Sequence, residues 1–463
     1  MTTFLLPERP VESVADYVAQ GGGAGLRRAE SLGREGTIDE VRRAGLRGRG
    51  GGGFSTGRKW AGVVSQSGSH RYVVANGAEG EPGTFKDRAL IRANPYQLVE
   101  GLLIAAYAID AHEGFIALKA SFEPELERVT AALMAMQEAG FGAHLQVTIV
   151  RGPDEYLFGE EKALLEVIEG RDPLPRLLAP YEHGLFATVP QMGWDSIRSQ
   201  PGHGPRHSSN PTLVNNVETL SNVPHILANG VDWFRSRGST ESPGTVVCTV
   251  VGDVVAPDVG EVELGTPLRV VIDAVGSGLK SGRQAKAVFS GVANAVVTAD
   301  QLDTSVTYET FAAIGSGMGS AGFIVVDDMA CMVEVARAFS RFLYVESCGQ
   351  CPACKRGSGE ITARLERIEA GTGEAHDIAE MQGWIAKVTD ANRCYLAVEE
   401  KVLIESILRA FVDEFQEHLS LGRCPRPGHF LVPKLTDLSG GVAVYDSRSE
   451  LKLPDWTYAT SPT

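Results

Sequence analysis

The chain has 463 residues, 43% hydrophobic and 22% charged, which suits roughly three globular domains and argues against wholesale disorder. Its formal net charge of −15 excludes the basic face that nucleic acid or an anionic membrane surface needs. A dinucleotide stays admissible, because phosphates are met locally by backbone N–H groups and a few cations.

No run of about 18 apolar residues is present, and residues 1–10 lack the basic and apolar regions of a signal peptide. A cytoplasmic location is therefore expected, where cysteines serve as ligands rather than disulfides.

In chain order, Thr37–Arg43 reads as a short helix with Thr37 as N-cap and Glu40 at the capping-box position. The densest glycine patch, Gly45–Gly57, follows. Arg71–Ala75 and His144–Val150 read as strands. Pro95–Ile109, Pro124–Met136 and Leu157–Ile168 carry apolar residues at helical spacing. Alternation of this kind predicts a parallel α/β sheet over residues 70–235. The stretch Tyr181–Asn210, rich in Gly, Pro, Ser and His, reads as a long loop. From Gly244 a small β-rich domain is expected to about Val326, with strands at Thr245–Val251, Leu268–Ile272 and Ala287–Phe289. Helices are expected over Met329–Tyr344, Asp377–Val388 and Glu399–Leu419, before an irregular Pro-rich tail.

The strongest local signal is Glu346-Ser-Cys348-Gly-Gln-Cys351-Pro-Ala-Cys354-Lys-Arg-Gly357. Three thiolates at a spacing of three residues can cap one corner of a [4Fe–4S] cubane, with Cys394 as the fourth ligand, returned by a helical hairpin. Zinc is the competing reading, although zinc sites usually pair two Cys-x-x-Cys knuckles and no second knuckle exists. Lys355, Arg356 and Arg393 add positive charge beside the site, or are simply solvated. Cys248 and Cys331 read as core packing, Cys424 as a surface thiol.

The glycine run Gly48-Arg49-Gly50-Gly51-Gly52-Gly53-Phe54 lets backbone approach a phosphate or a ring closely, and a helix beginning after Ser55 or Thr56 would point N–H groups at an anion. A flexible loop is the alternative. The run is not the Gly-x-Gly-x-x-Gly opening of a Rossmann domain.

Gly45–Trp60, Asn76–Arg88 (NGAEGEPGTFKDR), Tyr156–Gly170 (YLFGEEKALLEVIEG), Pro211–Leu220 (PTLVNNVETL), Gly315–Gly319 and the cysteine segment occur together in this order. The set resembles the flavoprotein subunit of NADH:quinone oxidoreductase (complex I) and the diaphorase subunits of NAD-linked hydrogenases and NAD-dependent formate dehydrogenases. The resemblance covers residues 15–420. It implies an α/β fold: a Rossmann-like flavin domain within 1–243, a ubiquitin-like β-grasp domain over 244–328, a helical iron–sulfur domain over 329–421 and a tail over 422–463. It also implies FMN, NAD(H) and one [4Fe–4S] cluster on Cys348, Cys351, Cys354 and Cys394, with hydride transfer to the flavin followed by one-electron steps.

Carried over by position, Gly48, Arg49, Gly50, Gly51 and Lys59 would meet FMN, as would Asn76, Glu79, Gly159, Glu160, Asn215 and Asn216. Phe54 would stack on the nucleotide. Glu81, Glu161 and Tyr156 would bracket its ribose and nicotinamide, Glu81 and Glu161 as the catalytic pair. On the residues alone, each Glu reads better as a helix cap or surface carboxylate, and Phe54 and Tyr156 as packing.

The sequence departs from the family at Ala78, where an Asp is usual, at Gly62 and Tyr181, where phenylalanines are, and at Leu178, where a lysine is expected. The 181–210 loop is long and carries His183, His203 and His207, which read as solvated rather than metal-binding. An aromatic stack is worth roughly 0.5–1.5 kcal/mol beyond burial. Losing several such contacts makes a non-catalytic electron-transfer subunit with an altered NADH site the alternative function. The partners implied are a small thioredoxin-like [2Fe–2S] subunit and a larger catalytic or iron–sulfur subunit. The assembly expected is a soluble dehydrogenase such as formate dehydrogenase, or a peripheral membrane-associated complex.

Overall fold

The computed structural model describes residues 3–68, 70–143, 145–188, 209–426 and 428–460. Strands β1 (Tyr72–Gly77), β2 (Glu113–Lys119), β3 (Gln146–Gly152) and β4 (Thr212–Asn216) form one sheet in the order β3-β2-β1-β4. All three pairings are parallel. β1 is buried almost throughout, as a strand covered on both faces must be. The helix Pro95–Ile109, expected at those same bounds, packs its nearly all-apolar surface into the core of this layer.

The expected short helix at Thr37 needs correction. The helix runs from Ala24 to Ala44, with a break at Gly33, whose φ is 73°. Thr37 lies inside it and its hydroxyl donates to the Gly33 carbonyl one turn back, so it caps nothing.

A second sheet holds β5 (Thr245–Gly252), β6 (Asp258–Glu263), β7 (Ala285–Ser290), β8 (Val297–Thr298) and β9 (Gly322–Asp327), ordered β6-β5-β9-β7-β8. β5 runs parallel to β9; the other pairs are antiparallel. The strand expected at Leu268–Ile272 is instead a helix, Leu268–Gly276. Leu268, Val271, Ile272 and Val275 share a buried face at helical spacing, and this packing overrides their β-branched preference.

Helices Met332–Glu346, Pro352–Glu369, Ala375–Ile385, Leu396–Ala410 and Val412–Leu421 follow. The single helix expected over Glu399–Leu419 breaks at Phe411. The tail is not irregular: β10 (Leu435–Ser439) and β11 (Val442–Tyr445) form a hairpin. Its turn is Gly440-Gly441, both at positive φ, a combination that hairpin turns favour. Among the described residues no helix is long and apolar enough to cross a membrane.

Candidate functional site

A cavity of about 540 Å³ opens between the first sheet, the second sheet and the helical region. One wall is the Gly50–Gly52 backbone; the opposite wall carries Cys394, Tyr395 and Glu399. An antiparallel bridge between Arg47 and Ser55 closes the glycine loop, whose Gly48 N–H donates to the Phe54 carbonyl at 2.8 Å. Gly51 has φ 116°, which side-chain-bearing residues rarely adopt. A methyl on Gly52 would meet nothing within 4 Å, so the loop leaves bare backbone facing open space. Such a surface admits a flat ring or a phosphate.

The carboxyl end of β1 supplies the floor. Asn76 Nδ2 donates to the Gly159 carbonyl at 2.8 Å. Glu79 accepts from the Asp87 N–H at 2.9 Å and from Arg88 Nε at 3.0 Å, a buried ion pair. Asn216 caps the helix Val217–Asn229, and its Nδ2 donates to Asp87 at 2.6 Å. Lys86 reaches Asp87 at 2.8 Å and Glu218 at 3.0 Å. Although burial opposes its charge, these carboxylates raise the Lys86 pKa and keep a cation beneath the cavity.

Opposite stands a second acidic group. Tyr156 lies within hydrogen-bond distance of Glu81 Oε2 (2.6 Å) and Glu399 Oε2 (3.2 Å), while Glu81 Oε1 also accepts from the Val292 N–H at 2.6 Å. Burial raises the pKa of both carboxyls, and the Glu81 charge raises Glu399 further. The hydroxyl has one proton to give and faces both carboxyls with it, the Glu81 oxygen being the nearer acceptor. Glu160 caps the helix Glu161–Ile168 through the N–H groups of Lys162 and Ala163, both at 3.0 Å, and burial lifts its pKa to about 7.

Behind the cavity, Cys348, Cys351, Cys354 and Cys394 line one small enclosed pocket walled by Leu157, Leu396 and Ala397. All four are free thiols on three segments: the turn after Glu346, the first turn of Pro352–Glu369, and the loop before Leu396. Four sulfurs facing one apolar pocket are the donor set a [4Fe–4S] cluster requires, and the pocket offers no histidine or carboxylate ligand. Lys355 is not solvated beside it, since its ammonium donates to the carbonyls of Tyr344, Ser347 and Pro454. Cys394 and Leu157 border both this pocket and the cavity.

Of the site residues expected from sequence, Gly50, Gly51, Asn76, Glu79, Glu81, Tyr156, Gly159, Glu160 and Asn216 line the cavity. Others do not. Arg49 is buried and its guanidinium turns to Tyr308 and the Thr245 carbonyl. Gly48 sits at the loop's base, its carbonyl accepting from the Tyr308 hydroxyl. Lys59 and Glu161 form an ion pair with each other at 2.6 Å, outside the wall. Asn215 accepts from Trp60 Nε1. Phe54 is 59% exposed, at the loop's rim. Gly62, Leu178 and Tyr181 also lie outside the wall, while Ala78 is in it. His183 is buried; His203, His207 and most of the 181–210 loop fall outside the described residues.

Sequence reasoning missed Glu399, Lys86, Asp87 and Ser320, all in the wall. Lys86 and Asp87 stand inside the NGAEGEPGTFKDR segment, which could have flagged them. Glu399 lies on an ordinary amphipathic helix and carries no local signal.

Residues 41–225 match the Nuo51 FMN-binding domain, and residues 334–418 match the NADH-ubiquinone oxidoreductase-F iron-sulfur binding region. An NADH-quinone oxidoreductase subunit of Rhizobium meliloti (strain 1021) is 36% identical over 427 residues, covering 89% of this chain and 96% of that protein. The NADP-reducing hydrogenase subunit HndC of Solidesulfovibrio fructosivorans is 33% identical, covering 89% of this chain and 82% of the relative. Among solved structures, a chain of the NAD+-reducing [NiFe]-hydrogenase in the H2-reduced state superposes with a TM-score of 0.76 at 28% identity, over 89% of this chain and 67% of that one. With the fold, the four-thiol pocket and these similarities together, the chain belongs to the Nuo51 family of FMN-binding NADH-quinone oxidoreductase subunits.

Proposed function

We propose that the cavity seats FMN against the Gly50–Gly52 backbone, with the nicotinamide of NAD(H) between it and the Glu81–Tyr156–Glu399 group. As a member of its family the chain is an oxidoreductase subunit that moves electrons between NAD(H) and an iron–sulfur chain through FMN. When bound, the flavin supplies exchange between a two-electron hydride and single electrons, and the cluster carries the single electrons. The observation that carries the placement is the shared wall: Cys394 and Leu157 border both the cavity and the four-thiol pocket.

The chain's own residues then have definite tasks. Bare backbone at Gly51 and Gly52 admits the ring system. Lys86 provides positive charge beneath it, Asn76 and Asn216 fix the floor, and Tyr156 holds a proton between two carboxyls at the nucleotide's position. Ala78 removes a carboxylate from a wall already holding Glu79, Glu81, Glu160 and Glu399, which supports tolerance of that departure.

The order β6-β5-β9-β7-β8, in which β9, last along the chain, runs parallel to β5, the first, supports a β-grasp domain over 244–328, between a flavin domain over 1–243 and an iron–sulfur domain over 329–421. Association with partner chains is a property of the family; a small [2Fe–2S] subunit and a larger catalytic subunit are the specific partners we infer, in a cytoplasmic dehydrogenase complex. Formate dehydrogenase is the complex we infer, because the Pro-rich 422–463 tail does not match the pattern expected of complex I. Copurification with a formate-oxidising subunit is the expected result; a hydrogenase or quinone-reducing partner alone would contradict it.

The placement is tested with Cys394→Ser in the assembled complex. NADH should still bleach the flavin, while electron delivery to the partner falls at least about tenfold, since a cubane lacking one thiolate is impaired. Unchanged delivery would refute the assignment of the pocket.

A further inference from the structure

We infer that Cys331, His418 and Cys424 form a site for one zinc ion, distinct from the iron–sulfur pocket. Their ligand atoms lie within 4.8 Å of one another, and Cys331 Sγ is 3.3 Å from His418 Nε2. The three come from separate segments: the N-cap of Met332–Glu346, the last turn of Val412–Leu421, and the chain just beyond it. Cys331 sits in the hydrophobic core, as its sequence context suggests, and Cys424 is half-buried against that core rather than a lone surface thiol.

The surroundings are arranged for metal ligation. His418 Nδ1 lies 2.7 Å from the Glu414 carbonyl. A carbonyl only accepts, so Nδ1 carries the hydrogen and the Nε2 lone pair faces the sulfurs. Burial pushes the Cys331 thiol up to about 12, and the backbone N–H groups of Glu334 and Val333 that donate to its sulfur oppose this only in part. Cys331 and Cys424 also lie within hydrogen-bonding range of each other. Cys331 and His418 are buried, at 1% and 0% exposure.

Two thiolates and one neutral imidazole suit a thiophilic, borderline ion, and two thiolates cancel the charge of Zn²⁺, so the ion can be buried. Binding breaks two S–H bonds, releases both protons to solvent, forms two Zn–S bonds and one Zn–N bond, and changes no oxidation state. A water molecule completes the four-coordinate shell. None of these residues lines the Cys348–Cys394 pocket.

The consequence is mechanical. Cys424 begins the tail, which continues to Phe430, whose N–H donates to Glu334 at 2.6 Å, and to Pro433, whose carbonyl accepts from the Gly83 N–H at 2.8 Å. Zinc would fix the origin of the segment that wraps the flavin side of the molecule.

The test is elemental analysis of the complex, purified anaerobically and dialysed against EDTA, with flavin and iron measured on the same sample. About one zinc per chain is expected, falling below about a tenth in Cys331→Ser and Cys424→Ser while iron and flavin are unchanged. Should either variant fail to fold, the wild-type chain decides alone: stripped of zinc and given Co²⁺, it should develop a thiolate-to-cobalt charge-transfer band. Absence of both zinc and that band, equal zinc in variants and wild type, or a Cys331–Cys424 disulfide trapped from the anaerobic protein would each overturn the site.

Discussion

Tyr156 serves two carboxyl groups with one proton, and this makes it the most informative single residue in the cavity. Replacing it with Phe leaves half-buried Glu81 and buried Glu399 without the hydroxyl. Hydrogen bonds to charged groups are worth roughly 1.5–3 kcal/mol, so flavin reduction by NADH should slow by about ten- to a hundredfold. Stopped-flow bleaching of the flavin band measures this, with acid-extractable flavin confirming that the cofactor is retained. An unchanged rate would remove the Glu81–Tyr156–Glu399 group from the nucleotide site. Glu160 has a plainer task, capping the helix Glu161–Ile168. Glu160→Ala should lower stability by about 1 kcal/mol, read from a denaturant melt. The sequence motif placed Glu160 and Tyr156 near one another but carried no trace of Glu399, because their meeting depends on how two distant helices pack.

At the scale of elements, the glycine loop and the helical region each invite one experiment. Gly51 sits at φ 116°, so Gly51→Ala strains the loop by roughly 1–2 kcal/mol and puts a methyl where bare backbone faces the cavity. Flavin content should fall while the melting temperature moves little; full flavin content would mean that this loop does not touch the cofactor. In the helix Leu396–Ala410, Glu400 is fully buried beside Ser340, and burial lifts its pKa from 4.5 to about 8. Folded protein therefore holds that proton up to about pH 8, while unfolded chain releases it near 4.5. The unfolded state binds fewer protons across this window, so stability contributed by Glu400 is present below pH 4.5 and is lost as pH rises through 8. Glu400→Gln should flatten the pH dependence of the melting temperature there and raise it at pH 8.5 by about 2 °C or more. An unaltered slope would show that Glu400 is not buried in the folded chain.

Elements were legible where one local rule dominated. Two strands of the first sheet, β1 and β3, and the helix Pro95–Ile109 follow from apolar periodicity, whereas β2 and β4 were not singled out. Leu268–Gly276 was not legible, because β-branched residues sit at positions that only the second sheet's packing reveals as helical. The β10–β11 hairpin was signalled by Gly440-Gly441 but obscured by the prolines around it. Lys59 and Glu161 illustrate the limit at the site: family position brings Lys59 to the flavin and Glu161 to the nucleotide, but only the fold shows them paired with each other.

Across the whole molecule, the tail ties the regions together. Arg88, buried beneath the cavity, donates to the Leu435 carbonyl, Arg92 pairs with Asp437 at 2.7 Å, and buried Lys452 pairs with Glu346 at 2.9 Å just before the first cluster cysteine. Truncation after residue 423 would leave Arg88 and Glu346 short of partners. A loss of several kcal/mol is expected, since breaking one buried pair costs about 3–5 kcal/mol, and the cluster should become labile to chelators. A truncated chain that melts like the intact one would show the tail to be dispensable.

The central claim, that one cavity couples the nucleotide to the four-thiol pocket, is tested most directly by anaerobic titration of the flavin-loaded protein with NADH. Flavin absorbance and the cluster's electron paramagnetic resonance signal would be followed together. Bleaching of the flavin at stoichiometric NADH, with the reduced cluster signal rising in step to the extent its potential allows, is the predicted result. If dithionite reduces both centres while NADH reduces neither, the cavity is not a working nucleotide site.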